Sequence, residues 1–217
     1  MRGDDGTSCF MGRWSYVSAR LACLWTDERG TLAIVPPWLA AGRDLTRTVV
    51  IEPEMAFGTG EHQTTRGVVR LLPSVIHLGD RVADLGAGSA VLAIAAAKLG
   101  AAHVTAIELD HDAIANAEEN VERNGVADRV TVIEGDAELL LPLVAPVRVV
   151  LANIISSVLT GMLPVIAASL TSDGEAVLSG ILVEERAAML AVLEGTGWHL
   201  LAEDVEGMWW SARIARR

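Results

Sequence analysis

The chain has 217 residues, 51% of them hydrophobic, which suits one domain with a packed core and at most a short appendage. A formal net charge of −11 disfavours non-specific binding to phosphates, so no direct nucleic-acid binding is expected; the acidic surface serves either solubility or a basic partner. Cys9 and Cys23 make neither a disulfide framework nor a metal pattern, and no Cys/His cluster occurs elsewhere, so no metal is expected.

Asp4 and Asp5, with no apolar core around them, argue against a signal peptide. The uncharged run 149–172 is long enough to raise the question of a membrane span. It is interrupted by Asn153, Ser156, Ser157, Thr160, Gly161 and Pro164 and divides better into a buried strand and a helix. A cytoplasmic protein without membrane contact is therefore expected.

Residues 1–47 read as an N-terminal extension with a β-hairpin, runs 15–25 and 31–35 flanking Asp27-Glu28-Arg29-Gly30. Trp14, Trp25 and Trp38 either pack this hairpin against the body or form an aromatic cage for a ligand. The main domain is expected over 48–217, opening with a strand at 48–51. A loop follows, Glu52-Pro53-Glu54-Met55-Ala56-Phe57-Gly58-Thr59-Gly60-Glu61-His62-Gln63-Thr64-Thr65. From about residue 63 to 72 the apolar spacing is helical, so Thr64 and Thr65 sit near a helix start. There, amides and hydroxyls can hold a carboxylate, or simply cap the helix.

Residues 81–136 carry the organising pattern. Arg81-Val82-Ala83-Asp84-Leu85 predicts a strand, Gly86-Ala87-Gly88 a tight turn, 91–99 an alanine-rich helix, and 103–109 a second strand that contains Glu108. Such a β-α-β unit places its glycine turn at the carboxyl edge of a parallel sheet, where α/β folds bind ligands. Glu108 follows Gly86 at the distance at which a carboxylate can reach a ribose diol. A dinucleotide fingerprint wants Gly or Ala at its sixth position, and Val91 stands there. The form Asp84-x-Gly86-x-Gly88-x-Ala90 instead resembles motif I of S-adenosylmethionine (AdoMet) methyltransferases, with alanine for the usual third glycine.

A second crossover helix is predicted over 110–124, with Asp110 as N-cap and Gly125 as stop, and a third strand over 130–134. The stretch from there to Pro146 reads as a loop that brings Asp136 to the rim, as an acceptor for an adenine amino group or as a solvated acid. A fourth strand, 147–151, delivers Asn153, whose uncharged amide can hold both a cofactor and an incoming amine. Helices at 156–170 and 183–193 flank a fifth strand at 175–179. Strands at 198–204 and 209–214 then close the sheet as an antiparallel pair, with Trp209 and Trp210 on opposite faces.

The 52–65 loop looks like the signature D-P-G-x-A-F-G-T-G-x-H-x-T-T of the PrmA family, the ribosomal protein L11 methyltransferases, with Glu52 for the usual Asp and Glu54 for the usual Gly. Residues 84–101 and 149–155 resemble the same family in the same order. The resemblance implies an AdoMet-dependent methyltransferase fold: a Rossmann-like α/β domain with a seven-stranded sheet, a C-terminal antiparallel hairpin and helices on both faces. It also implies that Thr65, Gly86, Glu108 and Asn153 contact AdoMet. With Asp84 and Asp136 these form the expected cofactor site, and Asn153 is the expected catalytic residue. Phe57 either closes over the acceptor amine or packs the loop down.

The implied activity is N-methylation of protein amino groups, a ribosomal protein among them. Family members carry a separate N-terminal recognition domain, for which only the hairpin segment stands here, so the acceptor stays open. The alternatives are a small-molecule amine methyltransferase and a non-catalytic AdoMet-binding regulatory protein.

Overall fold

The computed structural model describes residues 8–9, 23–27, 30–52 and 60–216. A small sheet comprises β1 (Ser8–Cys9), β2 (Cys23–Asp27), β3 (Gly30–Val35) and β4 (Thr48–Val50), in that order. β2 and β3 form an antiparallel hairpin, and β4 runs parallel to β3. Trp38, on the 3-10 turn Pro37–Leu39, is 54% exposed and does not seal this sheet onto the body. Trp14 lies outside the described residues.

The body then alternates helix and strand: α1 (Gln63–Val75), β5 (Arg81–Leu85), α2 (Val91–Leu99), β6 (His103–Glu108), α3 (His111–Arg123), β7 (Val130–Glu134), α4 (Ala137–Val144), β8 (Val147–Asn153), α5 (Ser156–Ser169) and β9 (Leu170–Leu182). A 3-10 turn (Val183–Glu185), α6 (Arg186–Gly195), β10 (Trp198–Glu206) and β11 (Trp209–Arg216) complete it. The seven strands are ordered β10-β11-β9-β8-β5-β6-β7, with β11 antiparallel to both its neighbours and the other pairings parallel.

Each central strand feeds two cores. In β8, Val149 and Leu151 face the core shared with α1, α2 and α3, whereas Val150 and Ala152 face the one built with α4, α5 and α6. That two-sided burial accounts for near-continuous apolar runs in a parallel sheet. Helix α2 has no side-chain cap from its own N-cap residue, Ala90, and no amphipathic stripe: Val91 to Ala97 are all buried, and alanine suits the helix by propensity. Strand order turns back between β5 and β8, so the crevice outside their carboxyl ends is the topological switch point at which such sheets bind ligands.

Three elements depart from the sequence reading. Residues 137–144, expected as loop, form α4, with Pro142 inside it; Asp136 caps it by accepting from the Glu138 N–H, and Leu141 is wholly buried. Strand β9 runs well beyond 175–179 because β8 and β11 pair with it on both sides. The last hairpin turns tightly at Gly207 and Met208, leaving Val205 and Glu206 inside the ladder. Trp210 is core, and Trp209 sits half-buried with its ring edge-on to His62, centroids 5.1 Å apart.

Candidate active site

The expected site residues lie along the carboxyl edge of the sheet, Thr65 on α1, Asp84 and Gly86 at the end of β5, Glu108 on β6, Asp136 before α4 and Asn153 on β8. The glycine turn follows β5: Gly86 and Gly88 have φ of +67° and +52°, conformations glycine adopts without penalty. The Gly86 and Ala87 N–H groups donate to Ile107 O, and Gly88 N–H donates to Glu108 Oε2 at 2.7 Å. The other Glu108 oxygen accepts from Asp110 N–H at 2.9 Å, so this carboxylate ties the glycine turn to the start of α3. A side chain at 86 would place its Cβ 2.7 Å from Ile154 Cγ2, which shows how closely the turn meets the end of β8.

Asp84 is buried beneath this turn. Its Oδ2 accepts from Ala93 N–H at 2.9 Å, fastening α2 to β5, while Oδ1 is buried without a partner. Burial, together with the nearby Glu108 charge, pushes its carboxyl up to about 7 against the pull of the Ala93 bond. Asp136 is exposed, at the start of α4 beyond the end of β7.

Asn153 ends β8, paired in register with Ser179 of β9. Ser179 is buried and its hydroxyl donates to Thr64 O, which brings the first turn of α1 to this same edge; Ser211 supplies a hydrogen bond to Ser179 Oγ, 2.7 Å away. His62 caps α1, its Nδ1 accepting from Thr64 N–H and lying 2.8 Å from Thr64 Oγ1. Burial, and then the Arg66 charge, lowers the His62 pKa. Thr65 is wholly buried and its hydroxyl, like Asn153 Oδ1, finds no protein partner.

Two further interactions prepare this edge and were not legible in the sequence. Asn120, wholly buried on α3, accepts from Glu52 N–H at 3.0 Å and donates to Ser89 O at 3.3 Å, joining the start of the signature stretch to the glycine turn. Arg66 pairs with Glu206 and donates to Glu61 O, locking α1 to the closing hairpin. Their only sequence signals are polar residues at helix positions that turn out to be buried. Residues 53–59, including Glu54 and Phe57, lie outside the described residues.

Thr65, Asp84 and Asn153 thus each carry a buried polar atom without a protein partner, around an edge lined by Glu108 and two positive-φ glycines. Buried polar atoms are usually paired, so such a concentration calls for a polar ligand. The donors and acceptors match AdoMet in kind: carboxylates for its ribose hydroxyls and its adenine amino group, an amide and a hydroxyl for its amino-acid end.

The family model described as ribosomal protein L11 methyltransferase (PrmA) matches residues 28–217. The chain belongs to this family. Among the curated ribosomal protein L11 methyltransferases, that of Synechococcus sp. (strain RCC307) is 39% identical over 85% of this chain and 63% of its own length. That of Desulforamulus reducens is 40% identical over 82% of this chain and 58% of its own. The chain therefore spans about three fifths of the length of these relatives. A crystal structure of the ribosomal protein L11 methylase from Lactobacillus delbrueckii subsp. bulgaricus superimposes with a TM-score of 0.76 at 30% identity, covering 86% of this chain and 95% of that one. In this PrmA-family chain Asn120 joins the backbone of Glu52 to that of Ser89 in the glycine turn.

Proposed function

We propose that this chain is an AdoMet-dependent N-methyltransferase acting on an amino group of a protein. The supporting observation is the set of unpaired buried atoms on Thr65, Asp84 and Asn153 beside Glu108 and the glycine turn. The names of its relatives favour a ribosomal protein as acceptor.

In this reading Gly86 and Gly88 let the cofactor approach the main chain, Glu108 takes the ribose hydroxyls and Asp136 the adenine amino group. Asp84 holds the turn to α2, and Thr65 and Asn153 face the amino-acid end. AdoMet, when bound, supplies an electrophilic sulfonium methyl. Asn153 steadies the acceptor amine in line with it, and positioning of this kind provides much of the acceleration. An ordinary lysine amine, pKa near 10.4, must first lose its proton, which costs roughly 4 to 5 kcal/mol at pH 7. Desolvation at the crevice and the neighbouring positive sulfur both reduce that figure, and solvent takes the proton. Residues 1–47 would then be an extension on the catalytic domain, 48–217.

The test combines calorimetric titration of AdoMet with transfer of labelled methyl into ribosomal protein L11 and into cell lysate. Binding with a labelled protein is expected. Label confined to small molecules would replace the protein acceptor with a small amine, and binding without transfer would leave a regulatory protein. Binding of NAD but not AdoMet would overturn the assignment.

A further inference from the structure

Asn153 reaches the edge without an anchor of its own: its Oδ1 is buried and accepts no hydrogen bond from the protein. The aim of its side chain therefore depends on the backbone of residues 153–156, and that backbone is held from β9 and the turn after it. Gly180, at φ +83°, lies so close that a Cβ there would stand 2.5 Å from Ile154 O. Beyond it, Glu185 bridges the two segments. Its Oε1 accepts from the Ser156 hydroxyl at 2.6 Å, at the first residue of α5, and its Oε2 accepts from Leu182 N–H at 2.9 Å, at the end of β9.

We propose that Glu185 is a positioning residue that fixes the 153–156 turn and so aims the Asn153 amide at the acceptor amine. The inference rests on the role given to Asn153 above. Both Glu185 oxygens are engaged by donors, and these two hydrogen bonds, Ser156 first, lower the pKa of the carboxyl, which keeps it ionised as an acceptor at neutral pH. Glu185 lies on a 3-10 turn without a buried residue, yet its carboxylate accepts from Ser156, three places after Asn153.

The experiment compares E185A, E185Q, S156A and the E185A/S156A pair in the full chain. Glutamine can accept from Leu182 N–H and donate to Ser156 Oγ, so it rebuilds the bridge without charge. E185A is expected to lower kcat by about tenfold, the scale of a slightly misplaced reacting group, with the calorimetric Kd for AdoMet within about twofold of wild type. E185Q should recover most of that loss, and the double variant should be no worse than either single one, because both remove one interaction. A full kcat in E185A, equal losses in E185A and E185Q, or additive losses would overturn the proposal. The second readout is the side-chain amide NMR signal of Asn153 in cofactor-free protein, expected to shift in E185A and return in E185Q. Should the wild type transfer no methyl at all, the proposed function fails, and the NMR arm alone decides whether Glu185 sets Asn153: an unmoved signal overturns it, a shifted and restored one supports it.

Discussion

At the scale of single residues, two carboxylates a strand apart have opposite relations to solvent and hence different chemistry. Glu108, partly exposed, accepts from Gly88 and Asp110 N–H groups and still faces the edge. Glu108→Ala should weaken AdoMet by about 1.5 to 3 kcal/mol, the range of a hydrogen bond to a charged group, as read by calorimetry. An unchanged Kd would remove Glu108 from the site. Asp84 is buried, and its pKa is raised from 3.8 to about 7, first by burial. The folded protein thus holds this proton more tightly than the unfolded chain. The stability involved is complete below about pH 4 and lost as pH rises through about 7. Asp84→Asn keeps an acceptor for Ala93 N–H and carries no charge. Its unfolding free energy in urea should therefore fall less than that of wild type between about pH 4 and 7. Parallel pH profiles would show that Asp84 is already ionised in the fold.

At the scale of elements, the approach of β9 to the β8–α5 connection is what gives the edge its depth. Gly180 permits it, both through its positive φ and because its missing Cβ leaves room for the Ile154 backbone. Gly180→Ala combines about 1–2 kcal/mol of left-handed strain with a clash against main-chain atoms that cannot rotate away. A drop of at least about 2 kcal/mol in urea unfolding is expected. Gly195→Ala is the control: a Cβ there meets nothing within 4 Å, and alanine favours the helix in which it sits. Equal effects at the two positions would mean that the Ile154 contact does not govern β9.

At the scale of the molecule, ligand binding and folding are linked. The proposed site draws on α1 and on the ends of β5, β6, β7 and β8, none of which is assembled in the unfolded chain. AdoMet at one hundred times its Kd should add about 2.7 kcal/mol to stability. For a chain of this size that raises Tm by roughly 5 to 11 °C. Calorimetric scanning with AdoMet and with NAD separates the two nucleoside cofactors, and an equal shift with both would count against the methyltransferase reading. Among the described residues no helix is long and apolar enough to cross a membrane. The uncharged run 149–172 is instead divided among β8, α5 and the start of β9.

The family was legible through the resemblance of the 52–65 loop to its signature, and the β-α-β unit and the closing antiparallel pair through local signals: alternate glycines after an apolar run, an acid ending the next strand, periodicities of two and 3.6. Asp136 followed by Ala137-Glu138 is a capping signal as well, for a helix that the sequence reading took as loop. What only tertiary structure decided was how distant segments meet. Asn120 joins residues 52 and 89, Ser179 brings Thr64 to Asn153, and Glu185 reaches Ser156, at sequence separations of 29 to 115. A polar side chain carries no mark of its long-range partner. That partner is set only when strands on both sides of β5 bring their carboxyl ends together.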